Sequence, residues 1–192
     1  MANITQAPLG VTVVGTYSNS TTIVPTSFTT TGLVNGETII SLTSAIVNNK
    51  NVSANGSNYV TAITKGDGTA TVNNYYITAS YNTSSGSTQN TATINPKTLT
   101  VTGTAVADKV YDGTSTATLT NGVLNGVIAG ESVTLTQAGT FSRAGVGTSL
   151  TITAADSISD TSGNYVLQQP QSLSATIAPK TVALSATKTY DG

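Results

Sequence analysis

The sequence contains neither cysteine nor histidine among its 192 residues, and it has no tryptophan. The absence of cysteine excludes a disulfide framework and a thiolate nucleophile. The absence of histidine removes the commonest general base and the commonest zinc ligand. Carboxylates such as Asp156 and Asp160 remain as a formal acid–base pair, but aromatic residues make up only 5% of the chain and offer no platform for stacking sugars. We therefore expect no enzymatic activity.

Charged residues are also scarce, at 8% of the chain with a net charge of −1, which is about a third of the usual share. The seven lysines and arginines are scattered, whereas phosphate recognition needs them clustered, so we expect no nucleic-acid partner. No apolar run is long enough to span a bilayer, and no basic-then-apolar leader follows Met1. We expect no membrane insertion by this fragment, with any targeting signal outside it.

The uncharged polar residues that take the place of charged ones indicate where in or outside the cell the protein is located. Threonine, serine, asparagine and glycine fill the positions that lysine and glutamate hold in cytosolic proteins. Small secreted eukaryotic modules usually depend on cysteine, whereas bacterial surface proteins often lack it. The composition therefore favours an extracellular, bacterial cell-surface protein.

The chain is rich in internal repetition. Two landmarks recur in the same order, a Pro-Lys pair (Pro96-Lys97 and Pro179-Lys180) and then a Tyr-Asp-Gly triplet (Tyr111-Asp112-Gly113 and Tyr190-Asp191-Gly192). The two prolines are 83 residues apart, which is the size of a small domain. This spacing predicts a tandem array, in which function belongs first to the array and only then to any pocket within one copy.

Weaker matches extend the alignment into the first half of the chain. Residues 33–39 match residues 127–133, Asn74-Tyr75 matches Asn164-Tyr165, and Pro8 stands where Pro96 stands. The first copy is the more divergent, because Tyr17-Ser18-Asn19 replaces the triplet and an insertion-like stretch covers residues 48–68. We predict a divergent β-sandwich repeat at 1–95, a second repeat at 96–178, and the first strand of a truncated third repeat at 179–192.

The hydrophobic period is two, which indicates strands with one apolar and one hydroxyl face. The clearest alternations are Ala92/Ile94, Leu99/Val101, Val133/Leu135, Leu150/Ile152/Ala154 and Leu173/Ala175/Ile177. Threonine suits a half-exposed pleated surface. Eight turn dipeptides separate the runs: Asn-Gly at 35–36, 55–56, 121–122 and 125–126, Asp-Gly at 67–68 and 112–113, and Ser-Gly at 85–86 and 162–163. We predict an all-β chain of two tandem immunoglobulin-like β-sandwich domains, with a barrel as the weaker alternative.

The junctions between copies have no flexible linker. Strand-like residues 172–177 run through Pro179 directly into residues 181–184. Proline ends a ladder but keeps the preceding residue extended, so the last strand of one copy leads into the first strand of the next. A connection this short restricts bending and predicts an elongated rod, with each domain adding very roughly 30–45 Å.

The second copy resembles a known family. The segments that carry the resemblance are Pro-Lys-Thr-Leu-Thr-Val at 96–101, Lys-Val-Tyr-Asp-Gly-Thr at 109–114, Gly-Glu at 130–131 and Gly-Asn-Tyr at 163–165. They are similar to the YDG and related MBG repeats of large bacterial surface adhesins, including filamentous haemagglutinin-like secreted proteins. The resemblance covers 96–178 well, 179–192 as a stub and 1–95 only in outline. It implies tandem immunoglobulin-like stalk domains without catalytic residues.

The expected function is therefore a structural stalk that projects a binding tip from the cell surface, with neighbouring repeats of the same chain as its main partners. One alternative is a module that binds host glycan or mucin weakly and gains affinity through multivalency. Another is homotypic assembly with sister adhesin molecules, in which residues 179–192 add to an exposed sheet edge.

Several motifs have both a structural and a functional interpretation. Tyr111-Asp112-Gly113 fits a turn, in which Asp accepts local backbone bonds, better than a recognition loop, and Asn164-Tyr165 fits a core or corner tyrosine. We expect no resident cofactor; the weaker candidates for calcium ligands are Asp108, Asp112, Asp156 and Asp160. A Lys–Asn isopeptide bond could use Lys97 or Lys109 with Asn164 and Glu131, and alternating threonines could form a hydroxyl array.

Overall fold

The computed structural model describes residues 5–191. Its regular structure is almost entirely β-strand, with two single-turn 3-10 helices, η1 at Val52–Ala54 and η2 at Val72–Asn74. Within the described residues no helix is long and apolar enough to cross a membrane. The all-β prediction is confirmed; the immunoglobulin-like sandwich arrangement stays a prediction.

The strands are, in chain order, β1 (Ala7–Pro8), β2 (Gly10–Thr16), β3 (Thr22–Ile23), β4 (Ser27–Thr31), β5 (Leu42–Val47), β6 (Val60–Lys65), β7 (Tyr75–Tyr76), β8 (Asn90–Asn95), β9 (Lys97–Thr102), β10 (Ala105–Val106), β11 (Lys109–Val110), β12 (Thr116–Ala117), β13 (Leu119–Thr120), β14 (Val123–Asn125), β15 (Leu135–Thr136), β16 (Gly139–Phe141), β17 (Gly147–Ala154), β18 (Ser157–Ile158), β19 (Tyr165–Gln168) and β20 (Leu173–Ala178).

Contacts divide the chain into two compact units that are not continuous in sequence. The first contains the described residues up to Leu99, together with Gly126–Val133 and Asp160–Val166. The second contains Thr100–Asn125, Thr134–Ser159 and the described residues from Leu167 onward. Two segments that the repeat assigns to the second copy thus pack with the first. The domain boundaries read from the repeat stay a prediction.

The first unit is organised around two three-stranded sheets and a short parallel pair. Strand β2 pairs with β4 in antiparallel and with β8 in parallel orientation, and β5 lies antiparallel between β3 and β6. Strand β1 pairs in parallel with β7. The core contains the inward-facing residues of these strands, among them Val11, Val13, Ala45, Val60, Ala92 and Ile94. Burying a valine or isoleucine side chain stabilises the folded state by about 1.5–3 kcal/mol.

Asparagine side chains satisfy the backbone of the first unit where strands end. The carboxamide of Asn55 both donates to the carbonyl of Ile94 and accepts from its amide, each at 2.9 Å. In addition, the backbone carbonyl of Asn58 accepts from the amide of Ala92 at 2.9 Å. These bonds occupy the outer edge of β8, which would otherwise present unpaired backbone groups.

Asn90 is fully buried and links three parts of the first unit. Its Oδ1 accepts from the Val60 amide at 2.8 Å, and its Nδ2 donates to the carbonyls of Val60 at 2.8 Å and Thr78 at 2.6 Å. A buried amide is tolerated only when its donors and acceptors are paired. Asn90 therefore acts as an internal cross-link between β8, β6 and the segment after β7.

The second unit contains a five-stranded sheet in the order β11-β20-β17-β16-β12. All pairs in it are antiparallel except β11 with β20. The register shifts between Gly147 and Leu150, where Ser149 has a φ of 49°. One face of the sheet carries a core of Ala117, Leu119, Phe141, Leu150, Ile152, Ala175 and Ile177. Strand β9 pairs antiparallel with β14 through Val101 and Leu124.

The predicted alternations are largely confirmed. Leu99 and Val101 in β9, Ala92 and Ile94 in β8, Leu150 and Ile152 in β17, and Ala175 and Ile177 in β20 are all buried. Val133 and Leu135 are only half-buried, because the strand there is confined to Leu135–Thr136. Each of the eight turn dipeptides contains a residue with positive φ, as turns of this composition require.

Residues 179–191 are exposed and form no strand. Their large apolar side chains, Val182, Leu184 and Tyr190, all point into solvent. A strand needs a hydrogen-bonding neighbour, and within the described residues no strand pairs with this segment. Its assignment as the opening strand of a further repeat therefore stays a prediction.

Replacing Asn90 tests the internal cross-link. Asn90→Ala leaves the Val60 amide and carbonyl and the Thr78 carbonyl without their partner, and each unsatisfied buried group costs about 1–3 kcal/mol. We expect the free energy of unfolding in urea to fall by at least about 2 kcal/mol. The matched control is Asn73→Ala, at an exposed position, which should change it little. Equal effects of the two substitutions would contradict the role given to Asn90.

Candidate functional site

The first copy contains a turn held by a tyrosine and a glutamate. Residues 34–37 form a β-turn in which the Glu37 amide donates to the Val34 carbonyl at 3.0 Å. The hydroxyl of Tyr75, a buried residue of β7, accepts from the Val34 amide at 3.0 Å and donates to Glu37 Oε2. The phenol thus satisfies one backbone donor and one side-chain acceptor of the same turn.

The second copy repeats this arrangement. The Glu131 amide donates to the Ile128 carbonyl at 3.0 Å, and the Tyr165 hydroxyl accepts from the Ile128 amide at 3.1 Å while donating to Glu131 Oε2. The residues are those that the internal alignment pairs with Val34, Glu37 and Tyr75. We refer to each set as a Tyr–Glu turn.

The second Tyr–Glu turn has one additional partner. The hydroxyl of Tyr17, which follows β2, donates to Glu131 Oε1, so both carboxylate oxygens accept a phenol. The rings of Tyr17 and Tyr165 meet edge to face with centroids 5.5 Å apart, a favourable arrangement for aromatic pairs. All three residues belong to the first compact unit.

Asn164 completes the site. Its Oδ1 accepts from the Val52 amide at 2.9 Å, its Nδ2 donates to Asn51 Oδ1 at 3.1 Å, and its carbonyl accepts from the Lys97 amide at 2.9 Å. The side chain is buried. We call Tyr17, Glu131, Asn164, Tyr165 and Asn51 the joint cluster, since they bring segments before and after Pro96 together.

The environment of the joint cluster favours neutral phenols. Burial, followed by the hydrogen bond to the Glu131 carboxylate, raises the pKa of Tyr17 well above its ordinary value. The same two causes, in the same order, raise the pKa of Tyr165. The hydrogen bond to Glu37 raises the pKa of Tyr75. These phenols act as proton donors to carboxylates, and none is prepared to act as a base.

The Tyr111-Asp112-Gly113 triplet forms a turn in the second unit. Asp112 Oδ1 accepts from the Thr114 amide at 2.8 Å and from Lys109 Nζ at 2.9 Å, and Gly113 has a φ of 80°. The hydrogen bond from Lys109 and those from Thr114 hold the pKa of the Asp112 carboxyl well below its usual range. Lys109 Nζ also lies 5.6 Å from the centre of the Phe141 ring. The lysine and aspartate therefore fix the loop after β11.

Each of the four candidate calcium ligands accepts hydrogen bonds from its own neighbours. Asp108 accepts from the Thr176 amide at 2.6 Å, and Asp112 is occupied by Lys109. Asp160 lies in the first unit and accepts from Ser162 and from the Tyr165 amide at 2.7 Å. Although burial opposes it, these hydrogen bonds lower the pKa of Asp160. Across the described range no three acidic side chains come together as a metal site.

Asp156 is the most enclosed of the four. Its Oδ1 accepts from the Ala138 amide at 3.0 Å, whereas its Oδ2 has no partner among the described residues. The carboxamide of Gln169 pairs with the backbone of Asp156 on both sides, at 2.8 Å each. The carboxylate thus fastens β16 to the turn after β17.

Two of the groups named for an isopeptide bond, the Lys109 ammonium and the Asn164 amide, are engaged in hydrogen bonds. Lys109 Nζ is bound to Asp112, Thr114 and Thr116 in the second unit, while Asn164 and Glu131 lie in the first. Both ends of the Asn164 amide are hydrogen-bonded to residues 51 and 52. Lys97 meets Asn164 through backbone groups.

One shallow cavity lies in the first unit, with a volume of about 260 Å³. Its lining is uncharged and includes Leu9, Thr61, Ile63 and Tyr75. The Tyr75 hydroxyl is already engaged by Glu37.

Sequence reasoning missed the role of Tyr17. The available signal was its alignment with Tyr111, but the first copy lacks the Asp-Gly that marks the triplet. Asn51 and Val52 fall in the insertion that the alignment leaves unmatched. The sequence suggests the Glu131 carboxylate as a participant in an isopeptide bond, and the structure places it between two phenols.

The strands and repeated Tyr–Glu turns define an all-β protein with an internal tandem repeat. Residues 95–173 match the family described as YDG domain, as the resemblance predicted. Comparison with curated proteins and with solved structures gave no match. The adhesin context implied by the resemblance stays a proposal.

The raised phenol pKa values make stability sensitive to alkali. Unfolded tyrosines release their protons near pH 10, while Tyr17 and Tyr165 retain theirs when folded. The contribution of these phenols to the free energy of unfolding should be constant below about pH 10 and then fall as pH rises toward the folded-state pKa, by at most about 1.4 kcal/mol per pH unit for each phenol. Tyr17→Phe should reduce this slope. Tyr81→Phe, at an exposed position, is the control, and an unchanged slope in Tyr17→Phe would contradict the prediction.

The two Tyr–Glu turns provide a matched pair of substitutions. Glu37→Ala removes one phenol–carboxylate hydrogen bond and Glu131→Ala removes two. Because a hydrogen bond to a charged group contributes about 1.5–3 kcal/mol, Glu131→Ala should lower the free energy of unfolding by roughly that much more than Glu37→Ala. Urea titrations of the two variants measure the difference. Equal losses of unfolding free energy in the two variants would mean that the hydrogen bond from Tyr17 to Glu131 does not stabilise the fold.

Proposed function

We propose that the chain is a structural spacer, made of tandem immunoglobulin-like β-sandwich repeats in the stalk of a bacterial extracellular adhesin. Its task is to hold a binding tip away from the cell surface and to carry tension along the chain. The YDG match over residues 95–173 supports the repeat identity. The stalk, the cell-surface location and the absence of catalysis are inferences from composition and repeat pattern.

The observation that carries the proposal is the junction at Pro96. Strand β8 ends at Asn95 and strand β9 begins at Lys97, so a single residue separates them. Proline fixes its own φ and keeps Asn95 extended. A connection with so few free torsions transmits direction from one strand to the next, which is what a spacer needs and a flexible linker lacks.

The joint cluster supports the same proposal. It adds side-chain contacts across Pro96, from Tyr17 before it to Glu131 and Tyr165 after it. Coupling through both backbone and side chains restricts rotation about the junction more than either alone. This is the expected design of a stiff array, whereas a set of independent binding modules gains reach from loose linkers.

A second candidate function is homotypic assembly. The exposed segment 179–191 carries apolar side chains at alternate positions, Val182 and Leu184, and a segment with this pattern can add to a sheet edge as a strand. Deletion of 179–192 should then lower the oligomeric state measured by light scattering. An unchanged mass would remove this candidate.

Solution scattering and a binding assay test the spacer. For two sandwich repeats in line we expect a maximum dimension of roughly 60–90 Å, from strands of about 3.3 Å per residue, and no saturable binding to mucin or glycan arrays. A compact particle would contradict the rod. Saturable glycan binding would favour the multivalent binding module over the spacer.

A further inference from the structure

In each copy, an earlier strand pairs in parallel with the last strand, and the tyrosine after that earlier strand bonds to the end of the last strand. In the first, β2 runs parallel to β8 with Thr16 opposite Asn95, and the Tyr17 amide donates to the Asn95 carbonyl at 2.9 Å. In the second, β11 runs parallel to β20 with Val110 opposite Ala178, and the Tyr111 amide donates to the Ala178 carbonyl at 2.8 Å. The acceptor in each case is the residue immediately before a proline.

This geometry makes Tyr17 and Tyr111 structural equivalents, although their distances along the chain from Pro8 and Pro96 differ. The residues two positions later agree as well, since Asn19 has a φ of 59° and Gly113 a φ of 80°. Asparagine and glycine are the residues that adopt this left-handed conformation most readily. The turn after the tyrosine therefore survives in the first copy without the Asp-Gly sequence.

The surroundings of the two tyrosines differ in one respect. Tyr17 is 3% exposed, because its ring packs on Tyr165 and its hydroxyl reaches Glu131. Tyr111 is 43% exposed. Glu131 and Tyr165 both come from the copy that follows Tyr17, in the segments Gly126–Val133 and Asp160–Val166.

The segment beyond Pro179 shows the same contrast. Residues 180–185 align with residues 97–102, which form β9. Leu99 and Val101 are 0% and 9% exposed, whereas the aligned Val182 and Leu184 are 75% and 95% exposed. Tyr111, Val182 and Leu184 thus lie exposed, whereas their counterparts Tyr17, Leu99 and Val101 are buried.

We propose that Tyr111 forms the docking surface for a following YDG-type repeat, of which residues 180–185 are the opening segment, and whose Gly-Glu turn accepts the Tyr111 hydroxyl while its Asn-Tyr pair packs on the Tyr111 ring. The proposal rests on the spacer function and adds a residue role to it. The tyrosine of the Tyr-Asp-Gly triplet is the coupling residue between one repeat and the next. The aspartate and Lys109 hold the loop that carries it.

The proposed joint at Pro179 differs from the joint at Pro96 in the length of one loop between strands. Residues 48–59 connect β5 to β6 and supply Asn51 and Val52 to Asn164. The corresponding connection from β16 to β17, residues 142–146, is shorter. Tyr111 therefore carries a larger share of the coupling at the second joint than Tyr17 does at the first.

A chain with one additional repeat tests the proposal. Residues 96–178 are duplicated after Ala178, so that the full natural chain is retained and Tyr111 is followed by a complete YDG repeat. Nitration of each tyrosine by tetranitromethane is followed by peptide mass mapping in the natural and the extended chain. We expect the reactivity of Tyr111 to fall on the order of tenfold in the extended chain, following the exposures of 43% and 3%. Tyr17 should be protected in both chains.

A single substitution identifies the partner. Glu131→Ala in the inserted copy alone should restore the reactivity of the first Tyr111 and leave Tyr17 protected, whereas Glu37→Ala should leave both unchanged. Glu131→Ala in the natural chain should expose Tyr17, which checks the existing joint without any duplication. Failure to expose Tyr17 would overturn the coupling mechanism.

The remaining outcomes separate this proposal from the spacer function. If Tyr111 stays reactive in an extended chain that scattering shows to be elongated, the docking surface is wrong and the spacer stands. Saturable glycan binding with Tyr111 protected would contradict the spacer and leave the docking surface intact. Protection of Tyr111 that rises with the concentration of the natural chain would instead indicate contact between separate molecules and overturn the assignment to the following repeat.

Discussion

The carboxylate of Glu131 is the point on which the first compact unit depends. Its two oxygens accept hydroxyls from Tyr17 and Tyr165, two residues that are far apart in sequence. In a chain with so few charges, the half-buried Glu131 carboxylate forms no ion pair among the described residues and accepts from neutral donors. The turn at 128–131, the strand β19 and the end of β2 are positioned through this single group.

The scarcity of charge has a structural counterpart in the use of amides. Asn55 and Asn90 perform edge capping and internal cross-linking, tasks that a more charged protein gives to ion pairs. A neutral carboxamide offers both donors and acceptors, so it can copy the backbone pattern of a neighbouring strand. Desolvating it costs far less than desolvating a charged side chain. A surface of threonine and asparagine is therefore compatible with well-satisfied strand ends.

The sequence contained enough to predict the strands and turns but not the packing of the copies. The alternation of Leu99 with Val101 fixes a buried face locally, because strand period depends only on neighbours. The match of Asn74-Tyr75 with Asn164-Tyr165 anticipated the second member of each Tyr–Glu turn without its chemistry. The contact of Tyr17 with Glu131 could not be predicted from the sequence, because it joins different copies and has no local sequence pattern. For the same reason the sequence did not indicate that Gly126–Val133 and Asp160–Val166 pack with residues before Pro96.

The parallel pairing of β2 with β8 has a mechanical consequence. Six residue pairs connect these strands, from Val11 with Asn90 to Thr16 with Asn95. A force that pulls the start of β2 against the end of β8 acts along both strands in opposite directions, so their hydrogen bonds are stretched sideways and together. Rupture then requires several bonds to break at once, unlike a hairpin that opens one pair at a time from its end. The parallel pairing of β2 and β8 therefore resists a pulling force in shear, along the direction of the strands.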